Sequence, residues 1–170
     1  MKVYFAASLF NLHERAFNRH LAELIQAELP NVEIVLPQTF KYHGKFNDPK
    51  TFGTIYQACV DGVAESAAVI AILDGPSADD GTAFEVGYAV ALGIPVIGVR
   101  TDYRASQEKG MNLMLSRGCS VIIHRPAFDE DITALAREIS RKLQRILQAP
   151  PVRRKIPQTI VTKSGSTYDV

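Results

Sequence analysis

An unbroken apolar run at residues 69–73 (VIAIL) constrains the fold more than any other part of this sequence. Its length is that of one strand, and its continuous hydrophobicity is typical of a strand buried on both faces in a parallel sheet. The run ends at Asp74, and a turn containing Gly, Pro and Asp residues follows. A helix is then predicted over residues 82–92, because Gly93 marks its end.

Short apolar segments alternate with helical patterns along the rest of the chain. This alternation indicates an α/β fold, a five-stranded parallel doubly wound sheet in a flavodoxin-like (Rossmann-like) three-layer sandwich with strand order 2-1-3-4-5. The predicted strands are residues 2–6, 32–36, 69–73, 95–99 and 120–123. The predicted helices are residues 12–29, 54–66, 82–92 and 129–147, with a short helix or turn from residue 111 and a polar loop over residues 38–52.

In this strand order the carboxyl ends of the first and third strands lie side by side. The first strand carries Tyr4 and leads into residues 6–8 (AAS), whose small side chains let a ligand approach the backbone. The third strand is followed by several carboxylates, among them Asp79 and Glu85. Ligands of open α/β sheets bind at such a point, so the sequence predicts a binding site there.

Glu85 has two interpretations. Thr82 and Glu85 have the spacing of a capping box, and Asp79 suits an ordinary turn, so both carboxylates have a purely structural explanation. Alternatively, the helix dipole keeps a first-turn carboxylate ionised, and covalent glycosyl chemistry requires a positioned, ionised carboxylate. The local pattern leaves both open, and the location at the ligand edge of the sheet favours the second.

Composition limits the possible partners. With 170 residues, 46% of them hydrophobic, the chain can form one domain, predicted over residues 1–148, and residues 149–170 are predicted to be a tail of little order. A net charge of +1 does not favour a nucleic-acid partner. No apolar run approaches the roughly 20 residues of a membrane helix, so no membrane partner is predicted. Cys59 and Cys119 lack metal-binding spacing, which predicts no metal site and indicates a cytoplasmic protein.

Several common catalytic motifs are absent from the sequence. The turn after the first strand, residues 6–10 (AASLF), contains no glycine, which excludes a Rossmann dinucleotide loop. No P-loop motif occurs, and the histidines stand singly without ligand spacing. Carboxylate chemistry therefore remains as the catalytic option.

Three separated segments resemble the nucleoside 2-deoxyribosyltransferase family, over about residues 1–148. Residues 4–10 (YFAASLF) are similar to the opening strand and turn of the family. Residues 79–89 (DDGTAFEVGYA) resemble its signature, with Glu85 at the nucleophile position. Residues 111–114 (MNLM) resemble the segment whose asparagine reaches into the site of a neighbouring subunit.

The resemblance implies an enzyme of nucleotide salvage that transfers 2-deoxyribose from a deoxynucleoside to a free nucleobase, without a cofactor or metal. Glu85 would attack the anomeric carbon and hold the sugar as an ester, and a second base would displace it with net retention. Tyr4 would orient Glu85, and Asp79 would bind the hydroxyl end of the sugar. The resemblance also implies a homo-oligomer built from dimers, with a hexamer as the expected size and Asn112 completing a neighbour's site. The implied substrate-binding residues are Ala6, Ser8, Phe10, Cys59, Asp74, Gly81, Asn112 and Met114.

One position departs from the family pattern. Better-known bacterial members carry an aspartate, a candidate proton donor to the leaving base, where this chain has Cys59. A neutral thiol is a poor substitute, so Asp61 or another acid serves, or the base is recognised differently. Cys59 as a small core residue is an equally good interpretation.

Two rival functions remain open. One is a deoxynucleoside 5′-monophosphate N-glycosidase, in which water replaces the second base. That enzyme would need a phosphate-binding nest, which the Asp79 carboxylate would oppose. The other is a nucleotide-binding module without turnover, which would not need Glu85 to be ionised.

Overall fold

A computed structural model describes residues 1–45, 48–104, 111–128 and 130–149. Five strands and five α-helices alternate along these residues, with one short 3₁₀ helix at Pro37–Thr39. The strands are β1 Lys2–Ala6, β2 Glu33–Val35, β3 Ala68–Ile72, β4 Val96–Arg100 and β5 Val121–His124. The α-helices are α1 Leu12–Glu28, α2 Pro49–Ala64, α3 Asp80–Ala91, α4 Leu113–Gly118 and α5 Ile132–Gln148.

The strands form one parallel sheet in the order β2-β1-β3-β4-β5, which confirms the predicted fold class and strand order. In the register of β1 and β3, Tyr4 lies opposite Val69 and Ala6 lies opposite Ala71. Because side chains alternate between the faces of a strand, neighbouring residues of β1 enter different cores.

Each face of the sheet has its own apolar core. Val3 and Phe5 of β1 point into the core that α1 and α5 cover, where they are joined by residues such as Ile25 and Ile139. Tyr4 points into the opposite core, which α2, α3 and α4 cover and which includes Val63 of α2. The sandwich therefore buries the phenol of Tyr4 on the face that α2 and α3 occupy.

Several helix starts differ from the prediction, among them that of α5, which begins at Ile132 rather than at residue 129. α2 begins at Pro49 rather than at residue 54, because the Asp48 side chain accepts a hydrogen bond from the Lys50 amide and proline suits the first helical position. The predicted loop over residues 38–52 is correspondingly shorter, and its Phe46 lies outside the described residues.

The start of α3 also differs from the prediction, and this difference concerns the candidate catalytic residue Glu85. Asp79 is the N-cap, and its carboxylate accepts a hydrogen bond from the Thr82 amide at 2.9 Å. Thr82 is therefore inside the helix, and the predicted capping box of Thr82 and Glu85 is wrong. Glu85 is the sixth residue of α3, so capping does not explain it.

Residues 150–170 lie outside the described part of the chain, as does most of the predicted tail. Among the helices of the described ranges, none is both long enough and apolar enough to cross a membrane.

Candidate active site

A buried tyrosine and a glutamate meet between the sheet and α3. Tyr4 is fully buried in β1, and its phenol oxygen donates a hydrogen bond to Glu85 Oε1 at 2.6 Å. The distance is within the normal range of O–H···O hydrogen bonds. Because Tyr4 lies in a buried strand, its phenol has a fixed position. The hydrogen bond from this phenol then orients the carboxylate of Glu85.

The thiol of Cys59 is the third member of this cluster. Cys59 lies half-buried on α2 and shares hydrogen bonds with both Tyr4 and Glu85. Burial raises the pKa of the Cys59 thiol, and the charge of Glu85 raises it further. The thiol is therefore neutral at physiological pH. Cys59 also packs against the apolar core on this face of the sheet, so its role as a core residue stays open beside its place in the polar cluster.

Burial raises the pKa of Glu85 to about 7, although the hydrogen bonds from Tyr4 and Cys59 oppose the shift and the charge of Asp79 adds to it. The expectation that the helix dipole keeps Glu85 ionised in a first turn is therefore wrong. Glu85 lies in the second turn, beyond the range at which the dipole is strong, and desolvation dominates. Burial also raises the pKa of Tyr4, so this phenol stays protonated as a donor.

Close approach of α2 to β1 makes room for the tyrosine ring. A Cβ on Gly62 would lie 2.9 Å from Cε2 of Tyr4, which is closer than side-chain atoms normally approach. Sequence reasoning missed this residue. The available signal was a glycine inside a predicted helix, where it costs roughly 1 kcal/mol relative to alanine and so usually has a packing reason.

Asp79 lines the cavity at the carboxyl edge of the sheet. One of its carboxylate oxygens caps the N-terminus of α3. That oxygen accepts from the Thr82 amide at 2.9 Å and from the Thr82 hydroxyl at 3.3 Å. A Cβ on Gly81 would approach the same oxygen to 3.1 Å, so the small residue at Gly81 keeps the carboxylate accessible.

A cavity of about 720 Å³ opens at the carboxyl edge of the sheet, the edge at which the parallel strands end. Ser8, Asp74 and Asp79 are among its lining residues, whereas Tyr4 and Glu85 are not. Asp79 therefore borders both the cavity and the site of Glu85, whose pKa its charge raises. The size is that of a pocket for a small organic molecule.

The other predicted site residues fall into three groups. Ala6 is fully buried at the end of β1, and Phe10 is 77% exposed in the turn that follows. Asp74 is held by hydrogen bonds from the end of β4. Asn112 and Met114 are exposed at the start of α4 and do not line the cavity, and the amide oxygen of Asn112 caps that helix.

No group of three or more His, Cys, Asp or Glu residues in the described ranges is arranged to hold a metal ion. The chemistry that the cluster offers is that of a nucleophile or base. Glu85 supplies a carboxylate that titrates near neutral pH, and Tyr4 and Cys59 supply donors to it.

The family model for nucleoside 2-deoxyribosyltransferase matches residues 3–114 of this chain. The chain belongs to this family. The matched range contains Tyr4, Cys59, Asp79, Glu85 and Asn112. Members of this family are pentosyltransferase enzymes.

Individual relatives agree with this assignment. A nucleoside deoxyribosyltransferase from Limosilactobacillus fermentum is 30% identical over 128 residues, which cover 69% of this chain and 75% of that protein. The structure of a 2-deoxyribosyltransferase from Bacillus psychrosaccharolyticus matches with a TM-score of 0.62 and 20% identity, over 80% of this chain and 90% of that one. A CMP N-glycosidase from Clostridium botulinum matches with a TM-score of 0.54 and 17% identity, over 85% of this chain and 99% of that one. At these identities the two structures show a shared fold.

Proposed function

We propose that this protein transfers 2-deoxyribose from a deoxynucleoside to a second nucleobase through an ester on Glu85. The observation that carries the proposal is the hydrogen bond between buried Tyr4 and half-buried Glu85, in which the phenol donates to Oε1 of the carboxylate at 2.6 Å. A carboxylate with a pKa of about 7 is ionised in a large fraction of molecules at neutral pH, yet basic enough to be a good nucleophile.

The reaction proceeds in two displacements at the anomeric carbon. A Glu85 oxygen attacks this carbon, the ester bond forms, and the bond to the first base breaks with its electron pair leaving on the base nitrogen. A nitrogen of the second base then attacks from the opposite face and releases the carboxylate. Two inversions give net retention of configuration.

Asp79 is assigned to the hydroxyl end of the sugar, because its carboxylate borders both the cavity and Glu85. Cys59 is assigned to holding Glu85 rather than to protonating the leaving base, since burial raises the pKa of its thiol. Asp61, the other candidate acid, is exposed on α2 and accepts a hydrogen bond from Gln57 at 2.7 Å. The remaining substrate contacts are assigned to the turn after β1, at Ser8 and Phe10.

Charge supports a substrate with a free 5′-hydroxyl group. Among the described residues that line the cavity, four carry carboxylates, whereas Arg104 alone carries an arginine or lysine side chain. A phosphate would be repelled by this lining, which argues against a deoxynucleoside monophosphate as the substrate. The carboxylates of the lining are Glu14, Asp74, Asp79 and Asp102.

The proposal extends to a homo-oligomer in which Asn112 completes the site of a neighbouring subunit. Support comes from exposed apolar side chains on α3 and α4, where Phe84 is 50% and Met114 is 78% exposed. Phe84 lies between Tyr56 and Tyr88, with ring centroids 6.1 and 6.2 Å away. A contiguous aromatic surface of this kind is typical of a protein–protein interface.

Base exchange tests the function directly. The purified protein is incubated with deoxyinosine in the presence or absence of adenine, and deoxyadenosine and hypoxanthine are measured by chromatography. We expect deoxyadenosine to form and hypoxanthine release to rise well above the rate in water alone. Release that does not respond to adenine would contradict transfer and favour hydrolysis, and a protein that binds deoxyinosine without turnover would be a binding module.

A further inference from the structure

The loop after β3 and the end of β4 are joined by a dense set of hydrogen bonds beyond the strand ladder. The β3–β4 register ends with the pair Ile72 and Val99. After it, the Asp74 carboxylate accepts from the Thr101 amide at 2.6 Å, from the Thr101 hydroxyl at 2.6 Å and from the Asp102 amide at 2.9 Å. These three hydrogen bonds from Thr101 and Asp102 hold the Asp74 carboxylate in place within the protein.

Further hydrogen bonds join the same two segments. Arg100 is 1% exposed, and its Nη1 donates to the carbonyl of Leu73 at 2.6 Å and to that of Gly75 at 3.2 Å. The Asp102 carboxylate accepts from the Gly75 amide at 3.1 Å. Arg104 forms an ion pair with Asp102, and this side chain holds the pKa of the Asp102 carboxyl well below its usual range.

This hydrogen-bond network buries charged groups, which costs free energy. We take this cost as a sign that the shape of the loop between β3 and α3 is important for function. Burying a cation costs free energy unless it is paired and hydrogen-bonded. Arg100 donates hydrogen bonds from both of its Nη atoms, whereas its Nε has no partner among the described residues. A connection at the edge of a sheet is usually more mobile than the strands that it joins. Here a buried arginine and two carboxylates hold a backbone turn in which Gly75 has a φ of +103°. Four residues later the chain reaches Asp79, and Asp74, Gly75, Asp79 and Asp102 all line the cavity.

We propose that Arg100, Thr101 and Asp102 are positioning residues, which hold the loop between β3 and α3 in the shape that presents Asp79 to the sugar. This inference rests on the transfer function proposed above. Asp74 belongs to the same network and acts on the substrate through the loop. Arg100 does not line the cavity, so its effect on the reaction passes through its hydrogen-bond partners.

Thr101→Val and Arg100→Lys test the inference in the full-length protein. The first removes the hydroxyl donor to Asp74 and keeps the side-chain shape. The second keeps the buried charge but replaces the planar guanidinium, whose Nη1 donates to the carbonyls of both Leu73 and Gly75, by the single ammonium nitrogen of lysine. We expect either variant to raise the KM for deoxyinosine roughly three- to tenfold in the exchange assay with little change in kcat, since one such hydrogen bond is lost or weakened.

Ser66→Ala is the matched control, because its hydroxyl donates to the Gly62 carbonyl at 2.7 Å in a buried place before β3, at the opposite edge of the sheet. A general loss of stability affects all three variants, and circular dichroism defines a temperature at which each is folded. At that temperature Ser66→Ala keeps the wild-type KM. Equal KM values in the control and the two variants would show a merely structural role and overturn the inference.

A double-mutant cycle identifies the route of the effect. Asp79→Ser retains a good helix cap but shortens the side chain and removes its charge. If the network acts through Asp79, Thr101→Val has little further effect on KM in the Asp79→Ser background. Fully additive effects would contradict the inference while leaving the transfer function intact, whereas a wild-type protein without base exchange would overturn the function itself.

Discussion

Opposing effects determine the pKa of the Glu85 carboxyl group. Burial and the charge of Asp79 favour its neutral form, while the hydrogen bonds from Tyr4 and Cys59 favour the charged form. The resulting pKa of about 7 means that Glu85 titrates near neutral pH. A nucleophile with such a pKa combines a useful ionised fraction with high basicity, which is the compromise that covalent catalysis needs.

Tyr4→Phe tests this balance. If Glu85 is the nucleophile, its ionised form attacks, so kcat/KM should rise with pH through an apparent pKa near 7 in the wild type. Removing the phenol removes a hydrogen bond that lowers the pKa, so the acidic limb should move to higher pH and the rate at neutral pH should fall. The measurement is the pH profile of base exchange between pH 5 and 9.

Tyr88→Phe serves as the control, since Tyr88 lies on the same helix and stacks on Phe84 through its ring. Its pH profile should match that of the wild type. An unchanged acidic limb in Tyr4→Phe would mean that Glu85 is not the group that titrates. Some loss of stability is also expected in Tyr4→Phe, on the order of 1–3 kcal/mol, because Glu85 loses a buried partner.

The contact between α2 and β1 determines how well Tyr4 is held. Gly62→Ala would gain roughly 1 kcal/mol of helix propensity, but its Cβ would lie 2.9 Å from the Tyr4 ring. Overpacking of this kind costs about 1–3 kcal/mol, so we expect a net loss of stability together with a fall in kcat as the phenol is displaced. Thermal unfolding and the exchange assay measure the two effects.

Gly53→Ala is the matched control on the same helix, because a Cβ there meets nothing within 4 Å. This variant should be at least as stable as the wild type and fully active. A Gly62→Ala protein that behaves like Gly53→Ala would contradict the importance of the close contact.

The strands were the most predictable elements, because buried parallel strands leave continuous apolar runs such as residues 69–73. Helix starts were less predictable. The sequence pattern places Pro49 in a loop, although this residue occupies the first turn of α2, and it predicts Thr82 as a cap, although Asp79 fills that role. Both errors have one cause, since Asp, Thr and Pro occur in turns as well as at helix starts.

The site was partly predictable for a topological reason. The order of the strands brings β1 and β3 together, so the proximity of Tyr4 and Glu85 follows from the sequence pattern. The burial that raises the pKa of Glu85 does not follow, because it depends on how α3 packs on the sheet. Arg100 was not predicted either, since a buried arginine at the end of an apolar strand leaves no periodic signal.

The molecule as a whole combines a rigid parallel sheet with an exposed aromatic surface. Tyr56 and Phe84 belong to α2 and α3, which cover the face of the sheet that holds the Tyr4 ring. If this surface joins two subunits, the catalytic cluster lies directly beneath the interface. Activity should then depend on assembly.

Phe84→Glu tests this dependence. A charge within a buried interface is strongly unfavourable, so the variant should sediment as a smaller species than the wild type and should lose much of its exchange activity. Leu12→Glu is the control, because Leu12 is 86% exposed on α1, which covers the opposite face of the sheet, and it does not line the cavity. A wild-type protein that is monomeric and fully active would contradict the shared site.

The most direct test of the central claim is mass spectrometry of the protein after brief reaction with deoxyinosine in the absence of a second base. We predict a 2-deoxyribosyl adduct on the peptide that contains Glu85, lost again when adenine is added. Glu85→Gln should fold and bind deoxyinosine but form no adduct, because an amide does not attack the anomeric carbon. An adduct on Asp79 instead, together with base exchange by Glu85→Gln, would contradict the account.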